Sequence, residues 1–344
     1  MNRILCLMLT LAFYSFAYGI DIGGVSSSDE RFFKEINEIS VKIDAAKNKK
    51  EEIKLLERLA EILVSGGQYG HALDIYYRLL KYKKVPRSKK FKYYVKLGDI
   101  YGLEKNYGPS LECYKKASFL YKRDIYVRLK LGDMFLKSNL YNLAEKSFLE
   151  VLAVDGNLDS AKKGLGDVFY YQHINTKAVY YYNQIDPKNY DKETVIKIVN
   201  CYRDLNRIDD AMKILSAFAE EYKDTELFFL FGLLFADKKE YLKAEDMFLK
   251  AIECDKRNFK VYVYLASIYN LMGEIHKAKK ISDEAYSMNS SYATVDLIQA
   301  EIAYKMGKLY EAERYAFNAY TKAKTVFVKE QAQKMIDFLN KRRV

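Results

Sequence analysis

The fold is decided by residues 126–156, which read YVRLKLGDMFLKSNLYNLAEKSFLEVLAVDG. Small and apolar residues fall on two helical faces in this stretch, first Leu131, Gly132 and Phe135, then Ala144, Phe148 and Val151. The polar residues 137–139 separate the two sets. Apolar residues spaced by three and four, with one interruption, predict two amphipathic helices joined by a tight turn.

The same pattern recurs along most of the chain. A small residue takes the place of Ala144 at Ala72, Ser110, Ala178, Ala211, Ala244, Ala278 and Ala312, with spacings of 33 to 38 residues. The eight copies start near Ile53, Phe91, Ile125, Asp159, Lys192, Thr225, Phe259 and Ala293. A period of about 34 residues, in which Leu-Gly and an aromatic residue precede an alanine, resembles the tetratricopeptide repeat.

This resemblance implies an all-α protein, a right-handed α-solenoid of about eight helix–turn–helix repeats. Each hairpin packs on the next, because one hairpin cannot bury both of its apolar faces. We expect small residues of the two helices to face each other, since helices approach closely only there. The expected organisation is a signal peptide at 1–19, a linker and N-terminal capping helix at 20–52, the repeats at 53–322 and a C-terminal capping helix at 323–344.

The first nineteen residues differ from the rest. Arg3 precedes an apolar run from Ile4 to Ala17, and Ala17 and Gly19 are small residues that suit a cleavage site. Fourteen residues fit the core of a secretory signal and are short for a membrane span of roughly 20. The sequence therefore predicts an exported protein of bacterial type, periplasmic or associated with the envelope. An uncleaved membrane anchor is the alternative.

Catalysis has little support in the sequence. No phosphate-binding or zinc-protease motif occurs, and His71, His173 and His276 are each about 100 residues apart. We therefore predict no enzyme, and neither a cofactor nor a metal site. The remaining cysteines, Cys113, Cys201 and Cys254, lie in different repeats and are expected to be buried free thiols.

Binding residues are expected on one face of the first helices. At 100° per residue, the position after Leu-Gly points away from the apolar face, and the resemblance implies that this face lines a concave groove for peptides. The candidates are Lys96, Asp99, Tyr126, Lys130, Asp133, Lys163, Asp167, Tyr170, Tyr171, Asn200, Arg203, Tyr264 and Asn270. They are either ion pairs within each helix, worth roughly 0.2–0.5 kcal/mol, or a ladder of donors and acceptors for a partner. Aspartate replaces the asparagine of the family's carboxylate clamp, so that clamp is not expected.

A second candidate surface is basic. The formal net charge is +11. Four extra residues separate the first two repeats, and this insertion lies in the most basic stretch of the chain. The four extra residues are predicted to lie outside the packed core. This basic segment comprises Lys81, Lys83, Lys84, Arg87, Lys89, Lys90 and Lys92, without an acid among them. It suggests an anionic partner, although the excess charge could also be an ordinary solvated face.

The predicted function is a protein–protein interaction scaffold in the cell envelope, as part of outer-membrane assembly, a pilus or a flagellar motor. The alternative is a peripheral binder of anionic lipid or cell-wall polymer through the basic segment. Nucleic acid is not an expected partner, because an exported protein does not meet it. The identity of the partner and the oligomeric state are left open.

Overall fold

The structure, a computed structural model, describes residues 27–83, 85–219 and 224–342. The predicted signal peptide at 1–19, most of the predicted linker, and Lys84 lie outside the described residues.

The described residues form α-helices and one 3₁₀ turn, Pro187–Asn189, and contain no β-strand. The helices are α1 (Ser27–Asp44), α2 (Lys49–Ser65), α3 (Tyr69–Leu80), α4 (Arg87–Leu103), α5 (Tyr107–Leu120), α6 (Ile125–Lys137), α7 (Tyr141–Leu152), α8 (Asp159–Tyr171), α9 (Asn175–Tyr182), α10 (Lys192–Asp204), α11 (Ile208–Ala219), α12 (Thr225–Asp237), α13 (Tyr241–Cys254), α14 (Phe259–Met272), α15 (Ile275–Met288), α16 (Ala293–Lys305), α17 (Leu309–Lys322) and α18 (Val326–Asn340). The all-α repeat solenoid is thus confirmed.

The helices from α2 to α17 form eight hairpins, preceded by α1 and followed by α18. Six hairpins begin at the residue that the sequence predicts. The other two, α2 and α4, begin four residues earlier, at Lys49 and Arg87. The four extra residues between the first two repeats therefore add one turn to α4. The sequence predicted that these residues lie outside the packed core, and Arg87 and Ser88, which begin the added turn, are exposed, while Lys89 and Lys90 are half-buried.

Every hairpin turns at one residue with a left-handed backbone. These residues are Gly67, Lys105, Asn139, His173, Asn206, Lys239, Gly273 and Gly307, and each lies five positions before the small residue of its repeat. The amide N–H that follows each turn residue closes it on a carbonyl of the first helix, as Leu140 does on Phe135 at 2.8 Å. This bond, with a left-handed residue at the helix end, is the Schellman arrangement that ends helices.

Glycines of the first helices make room for rings of the second helices. A Cβ placed on Gly132 would lie 2.6 Å from the ring of Phe148, which is fully buried. The same relation, sixteen residues apart, joins Gly98 to Tyr114 and Gly232 to Phe248. The sequence predicted that small residues face each other. Ser110, which hydrogen-bonds to the carbonyl of Gly98 at 2.7 Å, fits this prediction, but the main occupant of the space is an aromatic ring.

The chain divides into two compact units, with the boundary between Val168 and Phe169 inside α8. In the first unit, α1 buries Ile36, Ile39 and Ile43 in a core shared with α2, α3 and α4. In the second unit, Leu339 of α18 packs with alanines of α16 and α17. In each unit the helices pack mainly against the next one or two helices of the chain. Among the described helices, none is long and apolar enough to span a bilayer.

Candidate binding surfaces

All thirteen predicted groove residues lie on first helices of the hairpins, namely α4, α6, α8, α10 and α14. We call this set the polar row. Its members fall into two groups. Some are held by contacts within the chain, and others present polar atoms that other groups can reach. The difference decides which of them can bind a partner.

Asp99 belongs to the held group. One of its carboxylate oxygens accepts hydrogen bonds from the hydroxyl of Tyr114 at 2.6 Å and from that of Tyr126 at 2.8 Å. Tyr114 is fully buried, and burial together with the Asp99 carboxylate raises the pKa of its phenol. Asp99 therefore joins α5 to α6. Because its loss would leave a buried hydroxyl without a partner, a change at Asp99 tests stability as well as binding.

Asp133, the equivalent residue of the next repeat, is different. It is half-buried, and the part of the chain that the structure describes offers it no hydrogen bond or ion pair. Burial raises the pKa of its carboxyl, while Lys130, Lys137 and Lys163 oppose that rise. Lys130 points its ammonium at the ring of Tyr126, 5.4 Å from the centroid, instead of pairing with Asp133. The ion pair that the sequence offered as one interpretation for Lys130 and Asp133 is thus not formed.

The other members of the polar row in the first unit are Lys96, Lys163 and Asp167. Lys96 is exposed, whereas Lys163 and Asp167 are half-buried. The two half-buried residues each have further interactions within the chain. The Asp167 carboxylate adds to the rise in the pKa of Asp133, so the two acids lie near enough to share one electrostatic environment.

In the second unit, Arg203 is held by Asp237 through two hydrogen bonds, one of 3.2 Å between Nη2 and Oδ1. Tyr170 and Tyr171 stack edge to face, and the ammonium of the buried Lys197 lies 5.1 Å from the centroid of the Tyr171 ring. These aromatic residues therefore form a cation–π cluster with Lys197. The side chain of Tyr171 is nevertheless exposed to solvent.

Asn200 is half-buried and Tyr264 is exposed, so both can meet a partner. Asn270 cannot, and the prediction for it needs correction. Its side chain is only 3% exposed, its amide donates to Glu301 at 3.0 Å, and its main-chain oxygen accepts from Lys305 at 2.7 Å. Asn270 lies on the packed side of α14, because that helix is buried over most of its surface.

The basic segment is also partly held. Lys89 pairs with Glu57 of the preceding repeat, with Nζ 2.8 and 3.0 Å from the two carboxylate oxygens. Arg87 donates to the main-chain oxygen of Leu120. The sequence predicted a stretch without counter-acids, and this was wrong for Lys89, whose acid lies 32 residues earlier. Lys90 is half-buried, Lys92 is exposed, and Lys84 lies outside the described residues.

Three residues of the basic segment, Lys81, Lys83 and Lys89, line a cleft of 960 Å³ where α2 begins, α3 ends and α4 begins. Six cations line this basic cleft: Lys49, Lys50, Arg78, Lys81, Lys83 and Lys89. Its remaining lining is the largely apolar set Ile53, Tyr82, Val85 and Pro86. Sequence reasoning missed Lys49, Lys50 and Arg78, although Lys-Lys one repeat earlier was a visible signal.

The histidines lie at the turns, with His173 as the left-handed residue of its hairpin. In the described part of the chain, no three histidine, cysteine or acidic residues are grouped to hold a metal ion. Cys113 and Cys201 are buried free thiols, and burial raises the pKa of Cys201 to about 12. Cys254 is exposed, contrary to the prediction, because it is the last residue of α13.

Two stretches of the chain match family models described as tetratricopeptide repeat, at residues 91–118 and 247–280. The first begins at the predicted start of the second repeat. The second begins inside α13 and ends inside α15, so it covers one junction between repeats. Both matches lie outside the basic cleft, whose last lining residue is Lys89.

The chain is also similar to known proteins. It is 31% identical over 107 residues to the uncharacterized protein ycf37 of Cyanophora paradoxa, a match over 31% of this chain and 62% of that protein. A tetratricopeptide repeat protein from Parabacteroides merdae has a similar fold, with a TM-score of 0.59 and 15% identity over 72% of this chain and 99% of that one. A chain of the APC/C hetero-tetramer Cut9–Hcn1 gives a TM-score of 0.53 and 13% identity, over 91% and 60% of the two chains. At these identities the solved structures support the fold alone.

Proposed function

We propose that this chain, which contains tetratricopeptide repeats, is an exported scaffold that binds segments of envelope proteins through residues of its polar row. A binding role, without catalysis, is the usual one for repeats of this kind. The polar row offers what such binding needs. It carries carboxylate acceptors, lysine donors and exposed aromatic rings on the first helices of five hairpins.

Asp133 is the observation that carries this proposal. A half-buried carboxylate without a hydrogen bond is costly, because burial removes water without replacing it. The chain accepts this cost at Asp133, whereas two tyrosines satisfy the equivalent Asp99. An N–H or ammonium donor from a partner would satisfy Asp133. Tyr126 and Lys130 interact electrostatically with Asp133 and would add contact area and a donor.

Affinity capture tests the polar row. The chain without residues 1–19 is immobilised and exposed to an envelope extract of its own cells, and captured proteins are identified by mass spectrometry. A hydrogen bond to a charged group is worth about 1.5–3 kcal/mol, so Asp133→Asn should weaken capture of the main partner by roughly tenfold or more. Asp74→Asn, a change of the same kind at an exposed position of α3, is the control. Equal capture by Asp133→Asn and by the unchanged chain would contradict the proposal.

The export part of the proposal rests on residues 1–19 of the sequence. We propose that the mature chain starts near Ile20 and joins an assembly of the envelope, of the kind that inserts outer-membrane proteins or builds a pilus or flagellar motor. Terminal sequencing of the protein from fractionated cells tests this. A mature chain that still carries Met1 and stays with the membrane would show that residues 1–19 are an uncleaved membrane anchor instead of a cleaved signal.

The second candidate function, peripheral binding of anionic lipid or cell-wall polymer through the basic segment, stays a prediction. The charge available for such binding is smaller than the sequence suggests, because Glu57 already neutralises the ammonium of Lys89. Arg87, which donates to Leu120, is also less free to move toward a surface. Sedimentation with anionic vesicles, with and without 0.5 M salt, measures what remains of that affinity.

A further inference from the structure

The basic cleft is a built recess at the edge of the first two hairpins, separate from the polar row. Three helix ends form it: the start of α2, the end of α3 and the start of α4. Its volume of 960 Å³ is within the roughly 300–1,000 Å³ typical of ligand sites. The residues that line the cleft lie outside the two stretches that match the family models.

The cleft carries more positive charge than the chain neutralises. Of its cations, Arg78 pairs with Glu52 at 2.6 Å and Lys89 pairs with Glu57 at 2.8 Å. Among the described residues, no ion pair involves Lys49, Lys50, Lys81 or Lys83. Four uncompensated ammonium groups around one recess repel one another, and an anionic ligand would relieve that repulsion.

The helix ends add to this preference for an anion. Lys49 and Lys50 occupy the first turn of α2, where the helix dipole disfavours cations. The residue before α4 is Pro86, whose side chain caps no N–H group of that helix. The helix dipole therefore does not favour the two lysines, although it stabilises Glu51 and Glu52 of the same turn. The start of α4 leaves N–H groups for an acceptor.

The floor of the cleft selects the kind of anion. Ile53 and Tyr82 are half-buried and Val85 is buried, so the floor is largely apolar. A flat bilayer surface does not enter a recess, whereas a side chain does. The free cations are lysines, whose flexible ammonium groups suit carboxylates in varied positions better than one planar ligand.

We propose that the basic cleft binds an acidic peptide segment of a partner protein, with carboxylates on the four free lysines and an apolar side chain on the floor. This proposal rests on the proposed function as a scaffold and adds a second contact site to it. The partner chemistry is an apolar or aromatic residue flanked by glutamates or aspartates.

The test uses a fluorescent peptide, Glu-Glu-Phe-Glu-Glu with blocked ends, and the chain without residues 1–19. Fluorescence anisotropy is measured in 50 mM and in 500 mM NaCl. We expect binding that weakens at the higher salt, because screening shortens the reach of the lysine charges. Gln-Gln-Phe-Gln-Gln should not bind, and Glu-Glu-Gly-Glu-Glu should bind at least threefold more weakly than the phenylalanine peptide.

The cleft variant changes Lys49, Lys50, Lys81 and Lys83 to Gln. We expect it to bind the peptide at least tenfold more weakly. The matched control changes four exposed lysines elsewhere, Lys213, Lys260, Lys280 and Lys334, to Gln. It lowers the net charge equally and should bind the peptide like the unchanged chain. Circular dichroism should show the same helicity for both variants, since all eight side chains are exposed.

Three results would overturn the proposal: no peptide binding at 1 mM, equal affinity of the cleft variant, or an equal loss in the control variant. Phosphatidylglycerol vesicles that bind more tightly than the peptide and displace it would assign the cleft to lipid instead. Asp133→Asn should leave peptide affinity unchanged. Unchanged partner capture by Asp133→Asn, with peptide binding intact, would contradict the polar row alone, whereas weaker capture by Asp133→Asn together with no peptide binding would contradict the cleft alone.

Discussion

At the scale of single residues, the glycines of the first helices act through the rings that cover them. The ring of Phe148 lies between Gly132 of its own repeat and Gly164 of the next helix, where an added Cβ would approach it to 2.6 and 2.4 Å. The ring is fully buried and cannot move aside. Gly132→Ala should therefore cost about 1–3 kcal/mol of unfolding free energy, measured by urea denaturation.

Gly108→Ala is the control for that change. Gly108 lies in the first turn of α5, and a Cβ there meets nothing within 4 Å. Alanine favours the helix over glycine by up to about 1 kcal/mol, so this variant should be neutral or slightly more stable. Equal destabilisation of the two variants would mean that Phe148 does not define the space at Gly132.

Asp133 also predicts a dependence on pH. Burial raises the pKa of its carboxyl above the ordinary 3.8. Between pH 3.8 and the raised pKa of Asp133 in the folded chain, the folded chain binds more protons than the unfolded chain. The contribution of Asp133 to stability therefore falls as the pH rises through this range. Asp133→Asn should be more stable than the unchanged chain at pH 7, and the gain should disappear as the pH falls to 3.8 and below.

Urea denaturation at pH 7, 5 and 4 measures this gain. Asp74→Asn serves again as the control, because Asp74 is exposed on α3, and its effect should stay within about 0.5 kcal/mol at every pH. A loss of stability in Asp133→Asn at pH 7 would show that the carboxylate already has a partner within the chain.

At the scale of elements, the turn of the hairpins has one backbone conformation and several residue types. Lys239 adopts the left-handed conformation with φ of 61°, and Gly273 adopts it with φ of 81°. A side chain makes this conformation costly, by about 1 kcal/mol. Lys239→Gly should therefore raise the unfolding free energy by about 0.5–1 kcal/mol, and Gly273→Ala should lower it by a similar amount. Thermal unfolding of both variants checks the opposite signs.

The elements also show what the sequence could and could not predict. Six of eight hairpin starts were predicted because the small residues keep their spacing. The extra turn of α4 was not predicted, because four added residues increase the spacing between repeats by the same amount whether they lengthen a loop or a helix. Pro86, which stands immediately before α4, was a sequence signal for the earlier start of this helix. The bond from Tyr126 to Asp99 joins residues 27 apart on different helices, and periodicity alone does not reveal such pairs.

At the scale of the whole molecule, each helix depends on its near neighbours along the chain. In the second unit, α13 packs on α12 and α14, and Ala244 of α13 is fully buried among them. A repeat array is stabilised by such neighbouring interfaces, so local damage should weaken adjacent helices more than distant ones. This property can be measured helix by helix through amide hydrogen exchange.

Ala244→Asp tests this property. An uncompensated buried charge costs about 3–5 kcal/mol, and we expect amides of α12, α13 and α14 to lose protection while those of α17 keep most of theirs. Leu242→Asp is the control, because it adds the same charge to α13 at a side chain that is 72% exposed. It should change the unfolding free energy by no more than about 0.5 kcal/mol. If α17 loses protection as fully as α13 in Ala244→Asp, the second unit unfolds as one cooperative block, and coupling between neighbouring repeats does not describe its stability.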